Sequence, residues 1–167
     1  TMTQTAFTRT SEQMSQDAAT NMIEILQYDL YKAGYRVSTG QKISAAESLR
    51  VIFAADIGNT GTPKTITYAV GTTSQLTITS NANDRPLYRT VNSAASVNIV
   101  QGLRSFYFAY YDTGGYKMSY SPMDSAKRAL IRGITVTATV EPGNPIDTTY
   151  IQAKISKAIW PKNLGVW

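Results

Sequence analysis

The stretch AATNMIEILQYDLYKAG, Ala18 to Gly34, decides how the rest of the chain is read. At 100° per residue, Ala18, Ala19, Met22, Ile23, Ile25, Leu26, Leu30 and Ala33 fall on one broad arc, whereas Gln16, Asn21, Glu24, Gln27 and Lys32 fall outside it. The expectation is an amphipathic helix with a wide buried face. Gly34 offers the left-handed residue with which helices commonly close, and the sequence after it alternates as strands do. The expected fold class is α+β: a long N-terminal helix packed on antiparallel β-sheet, in a single domain over 1–167.

Upstream, TRTSEQMSQD (Thr8 to Asp17) has few apolar residues and neither Gly nor Pro, so it can carry the helix backwards without giving it a core. The buried face is expected to start near Ala18, with the earlier turns projecting or fraying. One charge interrupts the arc. Asp29 lies between Ala18 and Met22 in angle, and a carboxylate on a buried face needs partners. It is therefore expected to be a structural acid, paired with a basic group such as Arg36 or holding backbone N–H groups of the next loop.

Beyond a loop from Ser38 to Ser48, LRVIFAADI (Leu49 to Ile57) reads as a strand partly covered on both faces. Turn residues from Asp56 to Pro63 lead into TITYAV (Thr65 to Val70), and Gly71 turns the chain into QLTITS (Gln75 to Ser80). Further strands are expected at Leu87 to Val91 and, briefly, Ser96 to Val100. RSFYFAYYD (Arg104 to Asp112) is then closed by Thr-Gly-Gly, with Tyr116 to Tyr120 as its return strand. From Ala129 to Glu141, Ile134, Val136, Ala138 and Val140 alternate with Thr135, Thr137 and Thr139, a strand with one wet face. Pro142-Gly-Asn-Pro turns it back into Thr148 to Trp160, with Ile151, Ala153 and Ile155 inward.

Composition narrows the chemistry. A chain of 167 residues can bury about 70% of its unfolded surface without staples. It has no cysteine and no histidine, which removes disulfides, thiolate metal sites, histidine-dependent triads and the commonest general base. Catalysis would rest on carboxylates, lysine or tyrosine, and no such constellation stands out. Net charge is +5, concentrated after residue 60. No dense Lys/Arg run occurs, which disfavours nucleic acid as a partner. No apolar run approaches the ~20 residues of a membrane span. The opening Thr-Met-Thr-Gln-Thr does not read as a natural start, so a removed N-terminal segment is expected.

Two loops echo ligand-binding motifs weakly. Asp56 to Gly61 offers one carboxylate where calcium wants several, and Gly114-Gly115 lacks the lysine of a phosphate loop. Both read as turns. Tyr107, Tyr111 and their tyrosine neighbours, with Arg104 and Lys117 nearby, suit cross-strand packing; an aromatic-stacking ligand is the sharper alternative.

In order along the chain, IEILQYDLYKAGY, FAADIGNTG with ITYAV, FYFAYYDTGG, ITVTATV and KISKAIWPKNLG resemble the soluble part of a minor pilin or pseudopilin. The likeness is to the J-type minor pseudopilin of type II secretion and the W-type minor pilin of type IV pili. The resemblance implies a long helical spine whose apolar first half sits in the inner membrane or the filament core. Residues 1–34 would be the second half of that spine and residues 35–167 a β-rich head. It implies a non-enzymatic subunit without cofactor or metal, at the inner membrane and periplasm, assembling into a cell-envelope or extracellular filament. Implied partners are other minor pilins or pseudopilins, the filament, the membrane through the missing segment, and secreted cargo. Ala18, Met22, Ile25, Leu26 and Leu30 would be divided between the subunit's own sheet and neighbouring helices. The alternative is a tip protein whose face of Tyr107, Tyr111, Arg104 and Lys117 binds DNA, glycan or secreted cargo.

Overall fold

The computed structural model describes residues 2–76, 78–120, 123–141 and 144–165. Helix α1 (Met2–Tyr31) is unbroken and about 45 Å long at 1.5 Å per residue. Strands β1 (Ile43–Ala46), β2 (Arg50–Ala55), β3 (Lys64–Val70), β4 (Leu87–Val91) and β5 (Val97–Asn98) pair in sequence order as an antiparallel sheet, here sheet A. Strands β6 (Leu103–Tyr111), β7 (Gly133–Val140) and β8 (Ala153–Ile159) form a second antiparallel meander, sheet B. A short helix α2 (Ser125–Ala129) precedes β7, capped by the Asp124 carboxylate accepting the Lys127 N–H. The architecture is α+β, with the N-terminal helix packed against antiparallel sheets.

The helix joins the two sheets. Ala19, Met22, Ile23, Leu26, Leu30 and Ala33 share one continuous core with Phe53, Ile66 and Tyr68 of sheet A and Phe108, Val136 and Ala138 of sheet B. Each large apolar side chain in it contributes about 1.5–3 kcal/mol by burial. Gly34 ends the helix at φ 81° and donates its N–H to the Ala54 carbonyl at 2.8 Å, docking the helix end on β2. A Cβ on Gly34 would sit 2.8 Å from the Asn163 carbonyl oxygen. Both the left-handed backbone and the close approach therefore require glycine.

Several boundaries differ from the sequence pattern. The early helical turns are held: the Ser15 hydroxyl is buried and donates to the Ile151 carbonyl at 2.9 Å, and Gln4 donates to Asp147 at 3.0 Å. The inward stripe thus reaches back to Ser15, because the segment before β8 runs along the helix and supplies acceptors. Ile25 leaves the arc and is exposed.

The supposed loop from Ser38 to Ser48 contains β1, an edge strand held by pairing with β2. Gln75 to Ser80 is not a strand. Thr73–Gln75 is a 3₁₀ turn in which the Gln75 side chain accepts the Thr72 N–H at 2.8 Å, and 78–80 form bends. Thr77 lies outside the described residues. Tyr116 to Tyr120 makes one bridge, Tyr111 to Lys117, and Met118 donates its N–H to the Tyr110 carbonyl. The strand expected from Ala129 begins at Gly133, since Asp124 starts a helix first. The last strand begins at Ala153; Ala153 and Ile155 pack partly buried on the core.

Candidate interaction surfaces

The interrupting charge on α1 is met from sheet A. Tyr68 on β3 and Arg89 on β4 are directly opposed. Tyr68 Oη donates to Asp29 Oδ2 at 2.6 Å and Arg89 Nε donates to the same oxygen at 2.7 Å. One cross-strand pair thus delivers a hydroxyl and a guanidinium to a single buried carboxylate. Burial and the Asp29 charge push the Tyr68 phenol far above its ordinary range. The hydrogen bond to Asp29 raises the Arg89 pKa against its own burial. The carboxylate ties helix to sheet, at the wall of a groove that Asp29 and Arg89 both help to line.

The partner expected from sequence, Arg36, pairs with Asp56 instead at 3.0 Å. Asp56 also accepts the Thr60 N–H at 2.8 Å and the Gly61 N–H at 2.7 Å. Burial alone would raise its pKa, but these two N–H groups and the Arg36 guanidinium outweigh it and hold the carboxyl below the usual range. Its oxygens therefore serve the turn. Asp112 works likewise, accepting N–H groups of Gly114 and Tyr116.

The assembly residues inferred from sequence divide between two surfaces. Met22, Leu26 and Leu30 are buried against the chain's own sheets and Ala18 is partly buried. Ile25 faces outward at 38% exposure, on the same side of α1 as Phe7 at 64%, Met14 at 48% and Tyr28 at 57%. Phe7, Met14, Asn21 and Tyr28 are spaced seven apart, and Ser11, Ala18 and Ile25 follow each of the first three by four. This is the spacing of a helix–helix seam. It lies next to the inward arc, so α1 carries two apolar stripes, one covered by its sheets and one open. At the head end the open stripe meets a groove lined by Ile25, Tyr28, Val97 and Ile99 and by the charged side chains of Glu24, Asp29 and Arg89. The spacing was present in the sequence, hidden by polar residues at Ser11 and Asn21.

The outward face of sheet B is the second surface. Cross-strand register sets Tyr107 beside Thr137 and Ser156, and Ala109 beside Thr135 and Ala158. Tyr111 opposes Gly133, and the Trp160 indole lies across Gly133 with its ring centre 6.2 Å from that of Tyr111. Tyr107 is exposed and Tyr111 half-buried, and Lys117 bridges to Tyr111. Arg104 does not join them. A bulge between Leu103 and Ser105 displaces it, and its Nε lies 3.9 Å from Glu141.

Among the described residues no helix is long and apolar enough to cross a membrane, and no three acidic side chains converge as a metal cage. No family model matches the chain, and no curated protein sequence matches it.

Proposed function

We propose that this chain is a non-enzymatic structural subunit of a type IV pilus or type II secretion filament, a minor pilin or pseudopilin acting in assembly or initiation of the tip complex. The observation that carries this reading is the open stripe of α1. A helix of 30 residues covers one apolar face with its own sheets and presents a second at seven-residue spacing along its length. Such a stripe fits packing against a neighbouring helix, with the head meeting other minor subunits or cargo and an apolar segment before residue 1 entering membrane or filament core.

Because the chain has no cysteine, single cysteines at Phe7 and Met14 report contacts without background. In cells carrying the full-length protein, both are expected to cross-link to other filament subunits. A cysteine replacing Thr137 on the sheet face is expected to cross-link less. Equal labelling at all three sites, or an ordinary cleaved signal peptide ending directly before residue 1, would defeat the proposal.

A second reading, a ligand-binding tip for DNA, glycan or secreted cargo, draws on the exposed Tyr107, in register with Thr137 and Ser156, and on the neighbouring Tyr111–Trp160 ring pair. Its DNA form requires binding at low salt that weakens as salt rises.

A further inference from the structure

The connection from β3 to β4 folds back over the end of sheet B and is fastened by backbone. The Arg85 N–H donates to the Leu103 carbonyl at 2.9 Å, and the Glu141 N–H, just past β7, donates to Gly102 at 2.7 Å. Inside this joint lies Asp84. It is 1% exposed, and neither of its carboxyl oxygens has a hydrogen-bond partner. Glu141, 2% exposed, lines the same joint: Asn81, whose carbonyl accepts the Asp84 N–H at 3.1 Å, turns its side-chain amide to Glu141. The Glu141 oxygens accept Asn81 Nδ2 at 2.5 Å and Gln152 Nε2 at 2.6 Å. Among the described residues the guanidinium paired with Glu141 is that of Arg104, at 3.9 Å and half in solvent.

Two adjoining buried carboxyls with one distant cation are an expensive arrangement, since an uncompensated buried charge costs several kcal/mol. What converges on the joint is chemically uniform. The Asp84 and Glu141 carboxylates supply oxygens directly, and the Thr79 hydroxyl adjoins them through Asn81, donating to its carbonyl at 3.4 Å. The carboxamides of Asn81 and Gln152 present nitrogen, and rotation of either amide presents oxygen instead. No imidazole or thiolate is present in the chain. A set of hard oxygens on loop segments suits Ca²⁺, which takes six to eight oxygens at roughly 2.3–2.6 Å in flexible geometry, better than Mg²⁺, which demands a near-ideal octahedron.

We propose that Asp84 and Glu141 are the carboxylate pair of a calcium site, completed by Thr79, the side-chain amides and water, which clamps the β3–β4 connection to the end of β7. The ion supplies the partner that Asp84 lacks among protein groups. With two carboxylates the affinity falls in the weak range of about 10⁻⁴–10⁻³ M.

The test is thermal melting of the chain after EDTA treatment and dialysis, with CaCl₂ or MgCl₂ added to about 10 mM at equal ionic strength, together with calorimetric titration of CaCl₂. At that concentration Ca²⁺ is expected to raise the Tm by about 3–8 °C, Mg²⁺ to give less than a third of that shift, and Asp84→Asn to abolish the Ca²⁺ response. Three results would each overturn the site: no binding heat and no shift in the native chain, an equal effect of Mg²⁺, or a full Ca²⁺ response in Asp84→Asn. Should Asp84→Asn not fold, the Ca²⁺ and Mg²⁺ arms on the native chain decide alone.

Discussion

Asp29, Asp56 and Asp84 are each 1% exposed, yet their surroundings differ completely. Asp29 joins α1 to sheet A through a phenol and a guanidinium on the same oxygen. Asp56 closes a turn with two backbone N–H groups and one arginine. Asp84, between the β3–β4 connection and sheet B, is buried with neither carboxyl oxygen accepting a hydrogen bond. Burial alone says nothing of what a carboxylate contributes: the donors that reach it set the sign. The first aspartate ties two elements together, the second fixes a loop, and the third works against the joint it occupies until a cation is supplied.

The sharpest way to break this comparison is to remove Asp29. Asp29→Ala leaves Arg89 and Tyr68 facing a cavity without an acceptor, and loss of one partner of a buried pair costs about 3–5 kcal/mol. Arg89 is partly solvated, so the lower figure, about 3 kcal/mol, is expected, seen as a Tm lowered by about 6–10 °C. An unchanged melting temperature would mean that the tie contributes nothing. At Asp84 the sign should reverse. In EDTA, Asp84→Asn removes a charge that has no partner, and urea unfolding is expected to show a gain of about 1 kcal/mol. A loss comparable to that of Asp29→Ala would show that the two sites are alike after all.

Tyr68→Phe probes the tie from the other side. At neutral pH the lost hydroxyl is expected to cost about 1 kcal/mol. In alkali the difference should narrow. The Tyr68 pKa is raised in the folded chain, so its contribution is complete below the unfolded tyrosine value near 10 and is lost as pH rises through the folded value. The native chain should therefore lose stability above about pH 10 more steeply than Tyr68→Phe. Parallel alkaline limbs would place the phenol outside the tie.

How much of this was legible in the sequence follows from distance along the chain. The inward arc of α1, its stop at Gly34 and strands β2, β3, β6 and β7 announce themselves by local alternation, which burial on a regular element enforces. That Asp29 needs partners is equally local, because it stands among apolar neighbours. That the partners are Tyr68 and Arg89 is not, since they come from strands 39 and 60 residues away and no spacing rule links them to the helix. Arg36 lies near in sequence but, from a left-handed backbone at φ 58°, pairs with Asp56. Ile-Ser-Ala-Ala becomes β1 against its weak strand propensity because β2 offers it an edge. QLTITS has the propensity and no edge to use: the chain from Gly71 onward is tied to Pro86 and then to the Asp84 joint. The second helix stripe was present in the spacing of Phe7, Met14 and Tyr28, but periodicity alone does not say which of two stripes the protein covers itself.

Asp56 gives the smallest and most pH-specific effect, because its turn lies at the surface and Arg36 is about half in water. Its carboxyl is held below the ordinary range in the folded chain. The stability it contributes is therefore complete above the unfolded aspartate value near 3.9 and is lost as pH falls through the lower folded value. Asp56→Asn keeps a side-chain oxygen for the Thr60 and Gly61 N–H groups but gives up the ion pair and the titration. Acid unfolding followed by circular dichroism should show the native chain losing stability more steeply than Asp56→Asn below about pH 4, with the two curves converging at the acid end. At pH 7 the variant should remain folded with a slightly lower Tm. A variant that tracks the native chain at every pH would mean that the Asp56 charge does no more than its neutral amide, and that backbone N–H donation alone holds the turn.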